Sequence, residues 1–466
     1  MYLPNRAATP LLIAAAIVSH FGIQRCSAQE WTEASVIGKF LDQSPQAREA
    51  RANTAVAEAE ARGRTLYLNP SASYSRESAG FTEFFQGEQT LPLSGRLKYL
   101  KQAGTSSVRA TESEGAFTLW QARATLRRAF YRVLASQERV LLYAAGAKDM
   151  DNVIGVLRDR EREGEGSKFD RLRAERERAE LLAEVALIRA ESVLERSQML
   201  AFLPADISVA TVSGQLESPP IPLPANELVH HAMAAREDFR AEQRRAEQFR
   251  FEQQAAERLR FPEPVLNAGL KRADLGQRGI GQRDIVAGPV VGVTVSIPLF
   301  NKGQTEVARY TAEQERSAAR LQLLARQIRA AVEGTLEAFN IRAKTRDDYA
   351  RELADTGPEL IRIATVAYQE GEIGILQLLD AYRSQRLAQL RMLDIHAAVK
   401  EARIELERVV GEEFIRLNSE LLYSPCSPLS AAKSNPSRKK RKNPNRIRSR
   451  RRTGRQRRNS LWSIRR

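Results

Sequence analysis

The pattern of apolar and polar positions alternates between long helical stretches and short strand-like ones, and the same order of segments occurs twice. Each half has a helical segment, a strand-like segment, and two long helices separated by a Gly-containing turn. The first half places these segments at residues 32–68, 70–93, 96–162 and 167–203, and the second half at 226–260, 264–299, 304–369 and 375–410. The sequence therefore predicts a mainly α fold with a small β part.

Short motifs recur at a nearly constant offset between the two halves. Gln89-Thr90-Leu91-Pro92-Leu93-Ser94-Gly95 resembles residues 295–303, and residues 163–166 resemble residues 370–374. Pro92 and Pro298 are 206 residues apart, and Gly164 and Gly371 are 207 residues apart. We therefore expect two similar supersecondary units, packed side by side.

Apolar residues in the paired helices recur every three, four or seven positions, which is typical of coiled-coil contact. A helix over residues 96–162 would be about 100 Å long, at about 1.5 Å per residue. Gly357-Pro358 predicts a kink or a break in the corresponding helix of the second half. The expected contact positions are Leu172, Ala179, Leu182, Ala186, Val193 and Leu200 in the first half, and Leu376, Leu379, Leu387, Leu390, Ala397 and Ile404 in the second.

The clearest strand pattern lies at residues 291–299, where apolar residues alternate with small or polar ones. Val291, Val293, Val295 and Ile297 share one face, as in a strand of a membrane β-barrel. A soluble hairpin with one buried face fits the same alternation. Four strands cannot close a barrel, and open strand edges do not occur in lipid, so membrane-spanning strands would have to be shared among chains. Three copies would supply twelve strands.

The formal net charge of +16 comes from one end of the chain. Residues 424–466 hold sixteen of the 73 Lys and Arg residues and none of the 57 Asp and Glu residues, so the rest of the chain is balanced. This segment has little apolar content and is predicted to be disordered. A nucleic-acid-binding arm is the alternative, but aromatic residues for base stacking are nearly absent, and no nucleic acid partner is expected.

The first residues have the pattern of a secretory signal peptide. Arg6 gives a positive start, residues 11–18 are apolar, and Cys26-Ser27-Ala28 fits cleavage after Ala28. The apolar run is too short to cross a bilayer, so we expect an exported protein without a transmembrane helix. Lipid attachment at Cys26 is the alternative, although residues 23–25 are a poor lipidation signal.

No set of residues points to catalysis or to a bound cofactor. The chain has four His residues, no Gly-rich phosphate loop after a strand, and no Cys/His spacing that resembles a metal site. We therefore expect a protein that is not an enzyme and that has no cofactor and no dedicated metal site.

The turns between the paired helices carry the most specific short motifs. In the first turn, Ser167 is placed to cap the following helix, with Asp170 three residues later, close to a capping box. In the second turn, Gly374 takes the capping position and Gln377 the reciprocal one. Plain helix capping accounts for these residues. The open question is whether the two turns, here called the tips, also have a function.

Three groups of residues together carry a resemblance to a known family. They are the paired Pro-Leu motifs at Pro92 and Pro298, the motif Gly164-x-x-Ser167-x-x-Asp170, and the motif Tyr368-x-x-Gly371-x-x-Gly374-x-x-Gln377-x-Leu379-Asp380-Ala381. Over roughly residues 30–415 the chain resembles the TolC-like outer-membrane efflux proteins. Residues 293–303 look most like the branch of that family that serves heavy-metal efflux pumps.

The resemblance implies a homotrimer in which duplicated long helical hairpins form an α-helical tunnel, and four strands per chain form a shared 12-stranded β-barrel in outer-membrane lipid. It implies a passive exit duct of a tripartite efflux system, gated at its periplasmic helical tips. Its partners would be a periplasmic adaptor protein and an inner-membrane transporter. The alternative function is a periplasmic adaptor with coiled-coil hairpins, although adaptors usually have one hairpin and this chain has two.

The resemblance also implies candidate residues at the tips. Asp380 matches a position where the family has a pore-lining aspartate, and Gln377 stands where the family has an acidic residue one turn earlier. This departure would weaken a cation-binding ring unless Glu372 compensates, and a solvated Asp380 on the outer face is the alternative. The candidate adaptor contacts are Gly164, Ser167, Asp170, Gly371 and Gly374.

The predicted domain organisation has five parts. They are a signal peptide at residues 1–28, a first outer-membrane efflux repeat at 29–216, a Pro-rich linker at 217–225, a second repeat at 226–415 and a basic disordered tail at 416–466.

Overall fold

A computed structural model describes residues 31–77, 82–221, 223–277, 283–353 and 357–414 of the 466-residue chain. The predicted signal peptide and the predicted basic tail lie outside the described residues. Within the described residues the fold is mainly helical with a small β part, as the sequence predicts. No helix in these ranges is long and apolar enough to cross a membrane. The bounds of the five predicted domains stay a prediction.

The helices follow the predicted order in both halves of the chain. They are α1 (Glu33–Gln43), α2 (Pro45–Gly63), α3 (Arg96–Arg162), α4 (Lys168–Leu200), α5 (Ala225–Ala235), α6 (Glu237–Glu257), α7 (Gln304–Leu353), α8 (Gly357–Gln369) and α9 (Ile375–Val410). The bounds of α3 and α9 are the predicted ones. In the second half the described residues of this segment form α7 and α8, and Pro358 is the second residue of α8. Residues 354–356 between them lie outside the described ranges, so the kink or break at Gly357-Pro358 stays a prediction.

The helical segments that precede the strands are each two helices, so the prediction of single helices over 32–68 and 226–260 is wrong. In the first, Ser44 begins α2, because its hydroxyl accepts from the N–H of Ala47 at 3.1 Å and Pro45 occupies the first helical position. In the second, Arg236 is extended between α5 and α6, and its guanidinium donates to Asp238 at 2.6 Å and to the carbonyl of Val409 at 3.1 Å. The second break depends on a contact with α9 and has no local sequence signal.

The strands of the described ranges form a small parallel pair and a four-stranded antiparallel sheet. They are β1 (Trp31–Thr32), β2 (Ser71–Glu77), β3 (Thr82–Thr90), β4 (Val212–Ser213), β5 (Pro264–Gln277) and β6 (Arg283–Val295). β1 pairs with β4, and the larger sheet has the order β2-β3-β5-β6, so β2 and β6 are its edges. Strands from the two halves of the chain meet at β3 and β5, where Gly269 faces β3 so closely that a Cβ atom would lie 2.0 Å from the Phe85 carbonyl oxygen.

The large apolar residues of the four-stranded sheet are concentrated on one face, here called the apolar face, and the opposite face is richer in polar residues. Register pairs Val293 with Leu266, Leu270 with Phe85 and Phe85 with Tyr74, which places large apolar residues on one face. The apolar face is exposed in the single chain, since Val293 has 64% of its surface accessible. Residues that face the other way include Ser73, Gln86, Glu88, Asn267, Lys271 and Thr294, and the Asn267 amide donates to Thr294 Oγ1 at 2.9 Å.

A buried core forms where the two halves of the chain meet in the middle of the long helices. It joins β1, α1, α3, α4, β4 and α9 around Phe130, which is fully buried. Its members include Trp31, Val36, Phe40, Leu126, Met199, Val212 and Ile404. The N-terminal segment and the end of α9 are therefore fixed on α3 by the same apolar contacts.

Among the predicted contact positions on α4, Leu200 is half-buried against the core and the others are exposed, while those on α9 are partly right. α4 buries a stripe that includes Ala174, Leu181, Val185, Ile188 and Met199. The predicted positions Leu172, Leu182 and Val193 are exposed by 49%, 43% and 59%. At about 100° per residue, Leu172, Ala179, Ala186 and Val193 lie on the side of the helix opposite the buried stripe. On α9, Leu379, Leu390 and Ile404 are buried as predicted, while Leu376 and Leu387 are exposed.

Candidate functional site at the helical tips

The turn between α3 and α4 ends α3 with a left-handed glycine. Gly164 has a φ of +82°, and the N–H groups of Glu165 and Gly166 both donate to the carbonyl of Arg160 at 3.0 Å. Residues with a Cβ atom are strained at this φ, so the helix end requires glycine. Gly166 is required for space, because a Cβ atom there would lie 2.8 Å from the backbone nitrogen of Glu161.

Ser167 caps the start of α4, as expected, although the bond differs from a capping box. Its hydroxyl accepts from the N–H of Phe169 at 3.1 Å. The N–H of Asp170 donates to the Ser167 carbonyl at 3.1 Å. Ser167 and Gly164 are exposed at the turn, whereas Asp170 is half-buried.

The turn between α8 and α9 repeats this hydrogen-bond pattern. Gly371 has a φ of +78°, and the N–H groups of Glu372 and Ile373 donate to the carbonyl of Ala367 at 2.8 and 3.3 Å. The donors and the acceptor each lie 207 residues after their counterparts in the first turn. The duplication in the sequence is therefore also a duplication of turn geometry.

Gly374 and Gln377 form the start of α9 as the sequence predicts. The N–H of Gly374 donates to Gln377 Oε1 at 3.1 Å, and the N–H of Gln377 donates to the Gly374 carbonyl at 3.1 Å. The Gln377 side chain thus takes the reciprocal part of a capping box. The side-chain oxygen Oε1 of Gln377 is therefore already hydrogen-bonded at the start of α9.

Arg160 connects the two turns. Its Nη2 donates to the carbonyl of Gln369 at 3.0 Å, and its guanidinium lies 5.4 Å from the centre of the Tyr368 ring. Burial raises the pKa of the Tyr368 phenol above its ordinary value, while Arg160 opposes this rise and Asp170 adds to it. The ends of α3 and α8 are therefore joined by a hydrogen bond and by a cation–π contact worth about 0.5–1 kcal/mol.

A buried apolar cluster close to the turns ties both hairpins together. It contains residues of α3, α4, α8 and α9, so neither hairpin packs alone. Its members include Met150, Ile154, Leu157, Ala174, Leu181, Ala364, Ile375, Leu378 and Leu379. The positions of the two turns relative to each other follow from this shared core.

A groove of about 880 Å³, here called the tip groove, lies between α4 and α9 beside the turns. Asp380 and Gln377 stand on its α9 wall, one helical turn apart, and both are exposed. The wall combines apolar side chains with both signs of charge. The lining residues are Phe169, Leu172, Arg173, Arg176, Glu177, Glu180, Leu376, Gln377, Leu379, Asp380 and Arg383.

Glu177 of α4 binds two arginines of α9, and we call these three residues the Glu177 cluster. The carboxylate accepts from Arg383 through Nη2 and, at 3.4 Å, through Nε, and it accepts from Nη2 of Arg386 at 3.1 Å. Burial by itself would raise the pKa of Glu177, but the hydrogen bonds and charges of Arg383 and Arg386 hold it below its ordinary value. The cluster is a charged link between the first and the second hairpin.

The structure brings some predicted site residues together and leaves others apart. Gln377 and Asp380 share the tip groove, whereas Glu372 is exposed in the turn itself. The role of Asp380 in a pore stays a prediction, as do the adaptor contacts of Gly164, Gly371 and the residues around them. The sequence analysis missed Arg160 and the Glu177 cluster, because single charged residues on long helices carry no local signal of a partner about 200 residues away.

No three His, Cys, Asp or Glu side chains in the described ranges come together in a way that could hold a metal ion. Within the tip groove, Glu177 of α4 pairs with Arg383 of α9, and Arg176 pairs with Glu180 on α4 itself.

The second half of the chain carries a family signature. Residues 228–412 match the sequence model of the family described as Outer membrane efflux protein. This range includes β5, β6, the second turn and the α9 wall of the tip groove.

Individual relatives agree with this match. The cobalt-zinc-cadmium resistance protein CzcC of Cupriavidus metallidurans is 25% identical over 296 residues, which cover 62% of this chain and 67% of CzcC. The crystal structure of CusC, described in terms of folding and transmembrane channel formation, has a TM-score of 0.64 at 16% identity and covers 82% of this chain and 92% of that one. The open-state MtrE outer membrane channel of Neisseria gonorrhoeae has a TM-score of 0.62 at 19% identity, covering 82% and 89%.

The chain matches the outer-membrane efflux protein family over residues 228–412, and its described residues have the fold of TolC-like channels. It is an outer-membrane channel component of an efflux system that extends into the periplasm, and the alternative of a periplasmic adaptor is set aside. The relatives are efflux channels, which is consistent with the expectation that the chain is not an enzyme.

Proposed function

We propose that three copies of the chain form a passive exit duct with a shared 12-stranded barrel in the outer membrane. The observation that carries the proposal is the four-stranded sheet, whose edges are β2 and β6 and whose apolar face is exposed. Unpaired backbone groups are costly in lipid, so edges of this kind must pair with other strands. Pairing of β6 with β2 of the next copy closes the barrel, with the apolar face towards lipid and the polar face towards the lumen.

The outer side of α4 supports the same assembly below the barrel. Its exposed apolar side chains include Leu172, Leu187, Val193 and Leu194, and they lie opposite the stripe that packs within the chain. A helix with two apolar stripes packs against neighbours on both sides. In a trimer the outer stripe contacts the adjacent copy, so that the hairpins of three chains form one helical tunnel.

The two turns with the tip groove form the gate in this proposal. Three copies place three Asp380 carboxylates around a narrow opening, which attracts cations and repels anions. Glu372 adds exposed negative charge in the turn, and Gln377 leaves the ring weaker than two acidic residues would make it. The exposed turn residues around Gly164, Ser167, Asp170, Gly371 and Gly374 meet a periplasmic adaptor, which connects the duct to an inner-membrane transporter.

Divalent transition-metal cations are the proposed cargo. The name of the relative CzcC refers to cobalt, zinc and cadmium, and the resemblance of residues 293–303 points to the same branch. A duct that passes cations needs no resident site, and a cation-attracting ring at the gate is sufficient.

Two measurements test the proposal. The native mass of the protein, extracted from outer membranes in mild detergent, is expected to be that of three chains. In planar bilayers, Asp380→Asn is expected to lower the cation preference derived from the reversal potential in a KCl gradient. The matched control is Asp394→Asn on the same helix, because Asp394 pairs with Arg139 and lies outside the tip groove.

A monomeric mass would contradict the shared barrel. An unchanged cation preference in Asp380→Asn would contradict the Asp380 ring and would leave the barrel proposal intact.

A further inference from the structure

We infer that Arg383 is the counter-charge that determines the ion preference of the Asp380 ring, and that Glu177 controls whether this counter-charge is available. The inference rests on the proposed position of Asp380 at the gate. It adds two specificity-determining residues, neither of which has a place in the proposed ring itself.

Arg383 is within reach of both acidic residues. It lies one helical turn after Asp380 on α9, a spacing at which side chains of a helix are neighbours, and both residues line the tip groove. The Arg383 side chain is 51% exposed, so part of it faces the open space of the groove. In the structure its guanidinium is bound to Glu177 of α4, through Nη2 and Nε.

Glu177 differs from Asp380 in its surroundings. Its side chain is 9% exposed and accepts hydrogen bonds from two arginines, whereas Asp380 is exposed. Together, these two acids and the two arginines Arg383 and Arg386 have no net charge. While Arg383 is hydrogen-bonded to Glu177, it attracts Asp380 only through space, and the negative charge of Asp380 acts on passing ions.

Arg386 makes an exchange of Arg383 feasible. Its side chain is 11% exposed and lies against Gly146 of α3, where a Cβ atom would be 3.2 Å from its Cδ and 3.3 Å from its Nη1. Glycine inside a helix is unfavourable relative to alanine, so this space is a specific feature of α3. Because Arg386 stays with the buried Glu177, Arg383 can move to Asp380 without leaving a buried carboxylate unpaired.

The charges predict an order of cation preference among variants. Arg383→Gln removes the counter-charge and keeps the Glu177–Arg386 pair, so its preference should exceed that of the wild type. Glu177→Gln releases Arg383 towards Asp380, so its preference should fall. The double variant Glu177→Gln/Arg383→Gln has lost one negative and one positive charge, so its cation preference should return close to that of the wild type.

The experiment measures reversal potentials of these three variants in planar bilayers containing the full-length protein, in a KCl gradient. We expect each single variant to change the cation-to-anion permeability ratio by about fivefold, the ratio equivalent to about 1 kcal/mol for unit charges ~4 Å apart in water. The control is Asp151→Asn, which removes an acid paired with Arg178 at 2.5 Å, on the same hairpin but outside the tip groove. Its permeability ratio should equal that of the wild type.

The outcomes separate this inference from the proposed function. If Asp380→Asn alters the preference and Arg383→Gln does not, the Asp380 ring stands and the counter-charge is wrong. If Glu177→Gln acts only by loosening the hairpins, adding Arg383→Gln to it will not restore the wild-type cation preference, and the inference is also wrong. If Glu177→Gln does not assemble, Arg383→Gln by itself decides the question, because its site is half exposed and Glu177 keeps Arg386.

Discussion

At the scale of residues, the two tips depend on glycines at positions that other residues tolerate poorly. Gly164 and Gly371 both have positive φ and both end a helix, and in both turns the next two N–H groups donate to a carbonyl five and six residues earlier. Neither would meet a neighbouring atom if it had a Cβ, so the requirement is conformational. These glycines were found from the sequence because turn chemistry is local.

Gly371→Ala is therefore expected to destabilise the second turn by about 1 kcal/mol, the cost of a left-handed conformation for a residue with a Cβ. Hydrogen exchange of the amides around the turn measures this cost. The control is Gly155→Ala inside α3, where no atom lies within 4 Å of the added Cβ and the helix should gain about 0.5–1 kcal/mol. Equal effects of the two substitutions would show that the φ of Gly371 is not a constraint.

The Glu177 cluster predicts how the tips respond to acid. Although burial acts in the other direction, Arg383 and Arg386 lower the pKa of Glu177 in the folded protein. A carboxyl with a lowered folded pKa stabilises the fold above its unfolded pKa of about 4.3, and this contribution is lost as the pH falls through the folded pKa. We expect protection of the α4 and α9 amides near the cluster to be constant from neutral pH down to about 5 and to decrease below about 4.

Hydrogen exchange at several pH values checks this prediction, with rates corrected for intrinsic pH dependence. In Glu177→Gln the acid-dependent part of the change should disappear at these amides. Persistence of the same acid dependence in that variant would assign it to another group.

At the scale of elements, α4 and the β-sheet each present an apolar surface that the single chain leaves exposed. On α4 this surface is the stripe opposite the one that packs on α3, and on the sheet it is the face of Val291, Val293, Leu266 and Phe85. Such surfaces mark contacts with lipid or with other chains. The two elements thus support the proposed barrel and the proposed trimer.

The two faces of β6 predict unequal tolerance of charge. Val293→Arg should lower the stability of the folded barrel by about 2–4 kcal/mol if the residue lies near the bilayer midplane, because the side chain faces lipid. Thr294→Arg is the matched control, since Thr294 faces the other side of the sheet, beside Asn267. Denaturant titration in lipid vesicles compares them, and equal losses would reject the assigned facing.

The outer stripe of α4 gives a test of the trimer that leaves the strands unchanged. Leu194→Glu should reduce the trimer fraction, because a charge would replace a side chain that is 64% exposed in one chain and that the proposed trimer buries between copies. Arg189→Glu is the control on the same helix, at an exposed position beside the stripe. Native mass measurement in mild detergent distinguishes them, and a full trimer in Leu194→Glu would place the interface elsewhere.

At the scale of the whole molecule, the two halves depend on each other at both ends of the long helices. β3 of the first half pairs with β5 of the second, and α3, α4, α8 and α9 share one apolar cluster near the turns. Neither half can therefore form the sheet or the tips by itself. This dependence agrees with a duct in which movement of one hairpin at the tips also affects the other.

The basic segment at residues 424–466 is predicted to be dispensable for assembly. It has no acidic residues and little apolar content, so its own sequence offers few contacts for packing. Deletion of these residues should leave the trimer mass and the channel conductance unchanged. Loss of the trimer in this truncation would show that the segment docks on another part of the assembly.

The sequence by itself determined the order of the long helices and of the strand-like segments, the bounds of α3 and α9, and the two glycine turns. These features depend on local signals: apolar periodicity, Pro and Gly positions, and helix capping, all of which act within a few residues. The cap between Gly374 and Gln377 was predicted for the same reason.

Only the tertiary structure decided which apolar stripe of α4 packs within the chain, because that helix has two and periodicity does not rank them. It also decided where α5 ends, since Arg236 is held by α9, and which charges meet at the tips. Glu177 and Arg383 are 206 residues apart in sequence, and they form an ion pair because packing of the two hairpins places α4 beside α9. Contacts of this kind depend on how whole elements pack, and no local pattern of residues encodes them.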